Sequence, residues 1–352
     1  MSASSTTPPE TIKTRFLILS DTHGLQPQPQ AASTTTPSAA STDDELSTKI
    51  GLHRAPTGYR EPLAQADVAL HCGDLTKRSG VEEFRRTFSM LRAIRAPLKL
   101  VICGNHDSAM DPDFYIDDIG GGSPRSTRSS KSSGTPRPTA SSTSSRGPTP
   151  SPSPTAQRCA STQASTPPLR LLGIPVLPRR PQLLHPPGRG HRHDTRSPLG
   201  VLDTTRTQEN AGCATLFRAI TSSRPKIHCF GHIHEAWGAY LAKWQTERTP
   251  SSFIPFMHSS TTSIDTASSR TIQSLNDVKP NIGNEEMEES ERKQKRLLEL
   301  AKKRGFHVDL TEGKNQLTPG EQTLFVNAAV MDVRYYPTQL PWLIDVNLSK
   351  AG

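Results

Sequence analysis

Four short polar clusters recur along this 352-residue chain: Asp21-Thr22-His23, Gly73-Asp74, Gly104-Asn105-His106-Asp107 and Gly231-His232-Ile233-His234. Carboxylate, imidazole and amide oxygen suit hard-to-borderline divalent ions such as Mn, Fe or Zn, and no thiolate sits among them to favour a softer ion. In Asp21-x-His23 and His232-x-His234 the paired side chains share one side of an extended backbone, so each segment is expected to offer two ligands. Gly73 and Gly104 let the chain turn sharply beside a metal or a phosphate. Two carboxylates and neutral imidazoles around two divalent ions leave a net positive site, which attracts a phosphate anion.

Each cluster directly follows a short apolar run. Arg15–Ser20 (RFLILS), Asp67–His71 (DVALH), Leu98–Cys103 (LKLVIC) and Lys226–Phe230 (KIHCF) have the length and composition of buried strands. Between the second and third, Val81, Phe84, Phe88, Leu91 and Ile94 recur at helical spacing; Ser79 and Glu82 suggest a capping box, and Pro97 follows the end. Strand, helix, strand predicts a right-handed crossover in a largely parallel sheet. Ligands of such sheets bind outside the carboxyl ends of the strands, so the four clusters should meet on one rim. Thr323–Val330 and Trp342–Leu348 read as closing strands, residues 212–222 as a helix, and 285–304 as a charged surface helix. Residues 26–47 and 260–284 read as loops. His71, Cys103 and His228 are expected to pack within the sheet, Trp237 and Tyr240 to pack against the final strands, and Asn327 to hydrogen-bond near the site.

Composition divides the chain. Residues 124–206 carry a formal charge of +11 and the remainder −2, so the overall +9 belongs to one segment and gives no basic groove to the globular part. Residues 119–193 contain no acid, and residues 124–198 hold 15 of the 31 prolines. Such a tract has too little apolar surface to offset ordering its backbone, so 119–196 is expected to be a disordered insert with Leu171–Leu177 as its candidate strand. A loose stretch (1–13) precedes a first domain part (14–118, loop 26–50); a second part follows (197–350, insert 260–318). The five cysteines form no CxxC pair and predict free thiols in a reducing compartment. With no run of ~20 apolar residues and no apolar leader, the expectation is a soluble cytoplasmic protein.

The order D-x-H, G-D, G-N-H-D, G-H-x-H resembles the calcineurin-like metallophosphoesterases. SDTHG, GNHD, GHIHEAWGAY and TLFVNAAVMDVRYYPTQLPWLIDVNL further resemble fungal members of the metallophosphoesterase-domain-containing branch. The resemblance implies an α/β fold, a βαβ sandwich of two mixed sheets flanked by helices. It implies a hydrolase with two divalent metal ions (Mn, Fe or Zn), a metal-bound hydroxide attacking phosphorus, and a small phosphodiester or phosphomonoester as substrate; the missing apolar span and the location of the charge argue against membrane and nucleic acid as partners. Asp21, His23 and His234 would hold the first metal, Asn105 and His232 the second, and Asp74 would bridge them. His106 would act on the transferring group, oriented by Asp107. The family places one more histidine ligand mid-chain; here the candidates are His193, His185 and His191, with His193 nearest the surviving PLGVLD stretch. The tract around them stands where the family has ordered strands, as a retained intron or shifted reading frame would produce. The competing reading is a phosphoesterase fold that has lost turnover and serves as a protein-binding module.

Overall fold

The computed structural model describes residues 10–29, 58–110, 169–171, 197–246, 263–279 and 286–350. The first strand, β1 (Thr11–Leu19), sends alternate side chains to opposite faces: Leu17 and Leu19 join one apolar cluster and Ile18 another. A strand buried on both faces must lie inside a layered structure. It pairs in parallel with β2 (Val68–His71), which pairs with β3 (Leu98–Val101), which pairs with β4 (Leu169–Leu171). On its other side β1 meets β10 (Trp342–Ser349) antiparallel, and β10 meets β8 (Phe306–Asp309) in parallel.

A second sheet contains β5 (Ile227–Phe230), β9 (Gln322–Asn327), β6 (Gly238–Trp244) and β7 (Ile264–Ser274), in that order. Here Leu324 and Val326 point toward the first sheet, while Phe325 points outward. Between the sheets Trp237 stacks on Trp342 at 4.7 Å, and its indole Nε1 donates to the Leu340 carbonyl at 2.9 Å. Helix α1 (Val81–Ala93) covers the outer face of the first sheet with Phe84, Met90 and Leu91. Helix α2 (Ala214–Ser223) covers the second with Phe217 and Ile220. The architecture is a sandwich of two mixed sheets flanked by helices, as the resemblance implies.

Several local expectations change. The cap of α1 is Gly80, and Glu83 rather than Glu82 accepts from the backbone N–H groups of Lys77, Arg78 and Gly80. Val81, expected on the buried face, is 66% exposed because it sits in the first turn, outside the sheet's shadow. Residues 264–274, expected as loop, form β7: an edge strand mostly of Ser, Thr and Arg, anchored by Ile264 and Ile272 near its ends, whose backbone pairs with β6 across two register shifts. Strand β4 ends at Leu171, where the expected strand began; residues 172–196 lie outside the described residues. Helix α3 (Met287–Lys303) is charged and mostly exposed but anchors Leu297 and Ala301.

One ionic cluster ties β1, β8 and β10. Arg15 donates to both carboxylate oxygens of Asp345, from Nε at 2.7 Å and from Nη2 at 2.8 Å, and His307 Nε2 lies 3.1 Å from Asp345 Oδ2. The Asp345 side chain is only 2% exposed. Arg15 holds its carboxyl below the usual carboxylate range, against the opposing effect of burial and with help from His307. A lowered acid stabilises the fold above its unfolded pKa of ~3.9 and loses that contribution as pH falls through the lower folded value. Arg15→Ala is therefore expected to destabilise by about 2 kcal/mol at pH 7. In denaturant titrations that difference should shrink below pH ~4, as Asp345 protonates.

Candidate metal centre

The predicted clusters do meet at the carboxyl ends of β1, β2, β3 and β5. Ligand atoms of Asp21, His23 and His234 lie within 4.8 Å of one another, and so do those of His23, Asp74 and His106. The backbone reaches this place in an unusual way. Asp21 (φ 57), His23 (φ 47), Asp74 (φ 53) and His232 (φ 74) all adopt left-handed conformations. Such residues cost of order 1–3 kcal/mol each and persist only where the surroundings over-determine them. The expectation that Asp21-x-His23 and His232-x-His234 run extended is thus overturned: both segments turn as they leave their strands, and His234 opens a short 3-10 helix, His234–Ala236.

Hydrogen bonds set the imidazoles. His23 Nδ1 lies 3.0 Å from the Thr76 carbonyl, His234 Nδ1 2.9 Å from the Asp332 carbonyl, and His106 Nδ1 2.9 Å from the Lys77 carbonyl. A carbonyl oxygen only accepts, so each Nδ1 carries a proton and Nε2 is the ring nitrogen left to face the site. Such Nδ1–H anchors are the usual outer support of metal-binding histidines. His23 Nε2 and Asn105 Oδ1 are both buried and have no partner among the described residues. His234 Nε2 lies 3.3 Å from Asp21 Oδ1, a lone pair facing an acceptor unless a proton or a cation lies between.

The charges register the same conflict. Burial pushes Asp74 up to about 8, and the neighbouring Asp21 charge adds to it. Burial also works to raise Asp21, but its bond to His234 and the nearby His23 hold it well below the usual range. His234 is raised against burial by Asp21, while burial lowers His23 to about 4. Two buried carboxylates, orphaned lone pairs and an amide oxygen fit divalent cations of the hard-to-borderline kind.

Residues 14–145 match the sequence profile of the family described as calcineurin-like phosphoesterase. This part of the chain is similar to that family. Among curated proteins, metallophosphoesterase domain-containing protein 1 of Homo sapiens is 27% identical over 196 residues, 50% of this chain and 56% of that protein, and the Mus musculus protein matches equally. A probable rhamnogalacturonate lyase C of Emericella nidulans is 26% identical over 205 residues, 52% of this chain but 16% of that protein. The chain spans about half the length of the first two relatives.

Within the candidate metal centre one assignment is corrected. Asp107 does not orient His106. Its carboxylate accepts from the backbone N–H groups of Leu75 (2.9 Å), Thr76 (2.8 Å) and Gly104 (2.8 Å) and from the Thr76 hydroxyl (2.8 Å). It is consumed in clamping the β2 and β3 loops together, and the Lys77 carbonyl holds the His106 ring instead. His232 contributes its backbone N–H to both Asp21 oxygens at 3.1 Å. His193, His185 and His191 lie outside the described residues. His71 packs as expected, bonded to Thr22 Oγ1 at 2.9 Å. Asn327 donates from Nδ2 to the Ile233 carbonyl at 2.9 Å, steadying the loop between His232 and His234.

Sequence reasoning missed Tyr335, whose ring lies 4.8 Å from that of His23 and 5.4 Å from that of His234, with Lys77 Nζ 4.4 Å above it. Its φ of 63 marks a turn that no glycine announced.

The close approach of two glycines sets a test. A Cβ on Gly231 would meet Asp21 Oδ2 at 1.9 Å, and one on Gly104 would meet Asp74 Oδ1 at 2.0 Å. Gly231→Ala and Gly104→Ala are expected to destabilise by about 1–3 kcal/mol through overpacking. They should also strip divalent metal from the purified protein, as elemental analysis would report. Gly320→Ala, with nothing within 4 Å of its Cβ, should leave metal content unchanged.

Proposed function

We propose that this chain is a metal-dependent phosphoester hydrolase with a dinuclear centre, acting on a small phosphodiester or phosphomonoester. The observation that carries the reading is the convergence of imidazole Nε2 atoms, that of His23 without a partner among the described residues, on the buried carboxylates of Asp21 and Asp74, each of which accepts a backbone N–H. In this reading Asp21, His23 and His234 hold one cation, Asn105 and His232 a second, and Asp74 lies between. His193 is proposed as the remaining ligand of the second cation. Bound there, divalent cations supply Lewis acidity toward phosphoryl oxygens and a nucleophile at neutral pH.

The chain's own groups do the rest. His106, half-buried beside Asn105, keeps Nε2 open while Nδ1 is tied to the Lys77 carbonyl. A proton on Nε2 can stabilise a phosphoryl oxygen or pass to the leaving oxygen. The backbone N–H of His106 donates to Asp74 Oδ1 at 3.0 Å, so the loop carrying His106 is positioned by the carboxylate that would lie between the cations. Lys77, exposed over the Tyr335 ring, adds positive charge at the mouth for an anionic substrate. The family and the branch resemblance favour a small phosphodiester, and the charge of −2 outside residues 124–206 gives no support to a nucleic-acid substrate.

The test is metal content together with turnover of bis(p-nitrophenyl) phosphate and p-nitrophenyl phosphate in Mn. Two metals per chain are expected. His232→Ala should lose metal and activity together. His106→Ala should retain metal and lose about 10²–10⁴-fold in kcat. Wild-type protein that binds no metal and turns over neither ester would overturn the reading in favour of a binding module.

A further inference from the structure

On the side of the sandwich formed by β7, α3 and β8 lies a second cleft, about 290 Å³ in volume. Its lining includes Arg270 of β7, Arg296 of α3, Lys314 of the 3-10 turn Gly313–Asn315, and His307 of β8. Among the described residues no carboxylate lines it. Phe306 and Ile272 supply apolar wall. This volume is at the lower end of small-molecule sites.

The cations here are held in place without being neutralised. Arg296 Nη2 donates to Gln273 Oε1 at 2.6 Å. Arg270 Nη2 donates to Asn315 Oδ1 at 2.8 Å and also to the Lys314 carbonyl. Both guanidinium groups are thus fixed by neutral acceptors. Among the described residues neither arginine nor Lys314 forms an ion pair. Two acids among the described residues reach this neighbourhood through a bridging side chain: Asp345 through His307, its charge already met by Arg15, and Asp277, which accepts from Gln273 Nε2 at 3.1 Å. Three like charges gathered around one cavity repel one another, and a multiply charged anion resolves that repulsion. Two oriented guanidinium forks match the tetrahedral oxygens of phosphate better than they match a single carboxylate.

We propose that this cleft is a second anion site, separate from the metal centre, which takes a phosphorylated small molecule with a compact apolar group. The phosphoryl oxygens meet Arg270, Arg296 and Lys314, and the apolar group lies against Phe306 and Ile272. The proposal stands whether or not the metal centre is catalytic.

Phenylphosphonate, which cannot be hydrolysed as an ester, is the probe, followed by titration calorimetry on the full-length metal-loaded protein. Two binding events are expected, one of which persists in His232→Ala and weakens as salt rises. The doubly substituted Arg270→Gln, Arg296→Gln protein should lose that event, by tenfold or more per arginine given the worth of a charge-assisted hydrogen bond. Its turnover of nitrophenyl esters should be unchanged. Should the double variant melt early, the exposed Lys314→Gln, expected to weaken the same event, replaces it. Inorganic phosphate binding as tightly as phenylphosphonate would overturn the apolar half of the proposal. Absence of any event in His232→Ala, or its survival in the arginine variants and Lys314→Gln, would overturn the site itself.

Discussion

The structure depends on a meeting of acceptors. At the tips of four strands, two carboxylates, imidazole Nε2 atoms and an amide oxygen share a buried space; the carboxylates accept backbone N–H groups of His232 and His106, while His23 Nε2 and Asn105 Oδ1 have no partner among the described residues. Buried acceptors without partners cost of order 1–3 kcal/mol each, more when charged. Asp74 answers by holding its proton up to about 8, and His234 by binding one more tightly than its burial alone would allow. Both are responses to a missing positive charge. A site whose proton adjustments point to the same deficit is one shaped around cations.

Much of the surrounding backbone exists to keep that conflict in place. Three histidines are pinned by carbonyls from separate residues, those of Thr76, Lys77 and Asp332. Asp107 ties the loops after β2 and β3 with four hydrogen bonds. Left-handed backbone at Asp21, His23, Asp74 and His232 then aims the ligands inward. Gly104 and Gly231 are required for a different reason. Both sit where any Cβ would fall on a carboxylate oxygen, so the carboxylates lie against bare backbone. These four left-handed residues lie just beyond the ends of β1, β2 and β5 rather than within the strands.

The strand tips were legible because apolar runs and polar clusters alternate sharply along the chain. RFLILS-DTH and LKLVIC-GNHD announce both a buried strand and the ligand-bearing turn at its end. The edge strand β7 was not legible, since the residues between Ile264 and Ile272 are mostly polar and carry no apolar alternation. Nor was the conformation of the candidate segments: extended spacing and a left-handed turn both bring Asp21 and His23 together, so the meeting of these residues was legible and their backbone geometry was not. Asp107 shows the converse. A carboxylate next to a histidine in sequence suggests a pair, but adjacent side chains diverge, and the loop N–H groups across from Asp107 outcompete the imidazole. Tyr335 left no signal because it reaches the site through a turn far along the chain.

The placement of Asp21 and His234 carries the last consequence. Asp21 follows β1 of the six-stranded sheet, and His234 follows β5 of the four-stranded one. Ser20 donates to the Ala328 carbonyl at 2.9 Å and accepts from Val330 N–H at 3.0 Å, so the sheets are joined by backbone immediately beneath. The stacked pair Trp237 and Trp342 lies in the same interior. Anything held between Asp21 and His234 is therefore held between the two sheets. A cation bound only by the folded arrangement adds its binding free energy to the fold. In this molecule it would add it at the seam where the two halves of the sandwich meet, which makes the site part of the structure's cohesion as well as of its chemistry.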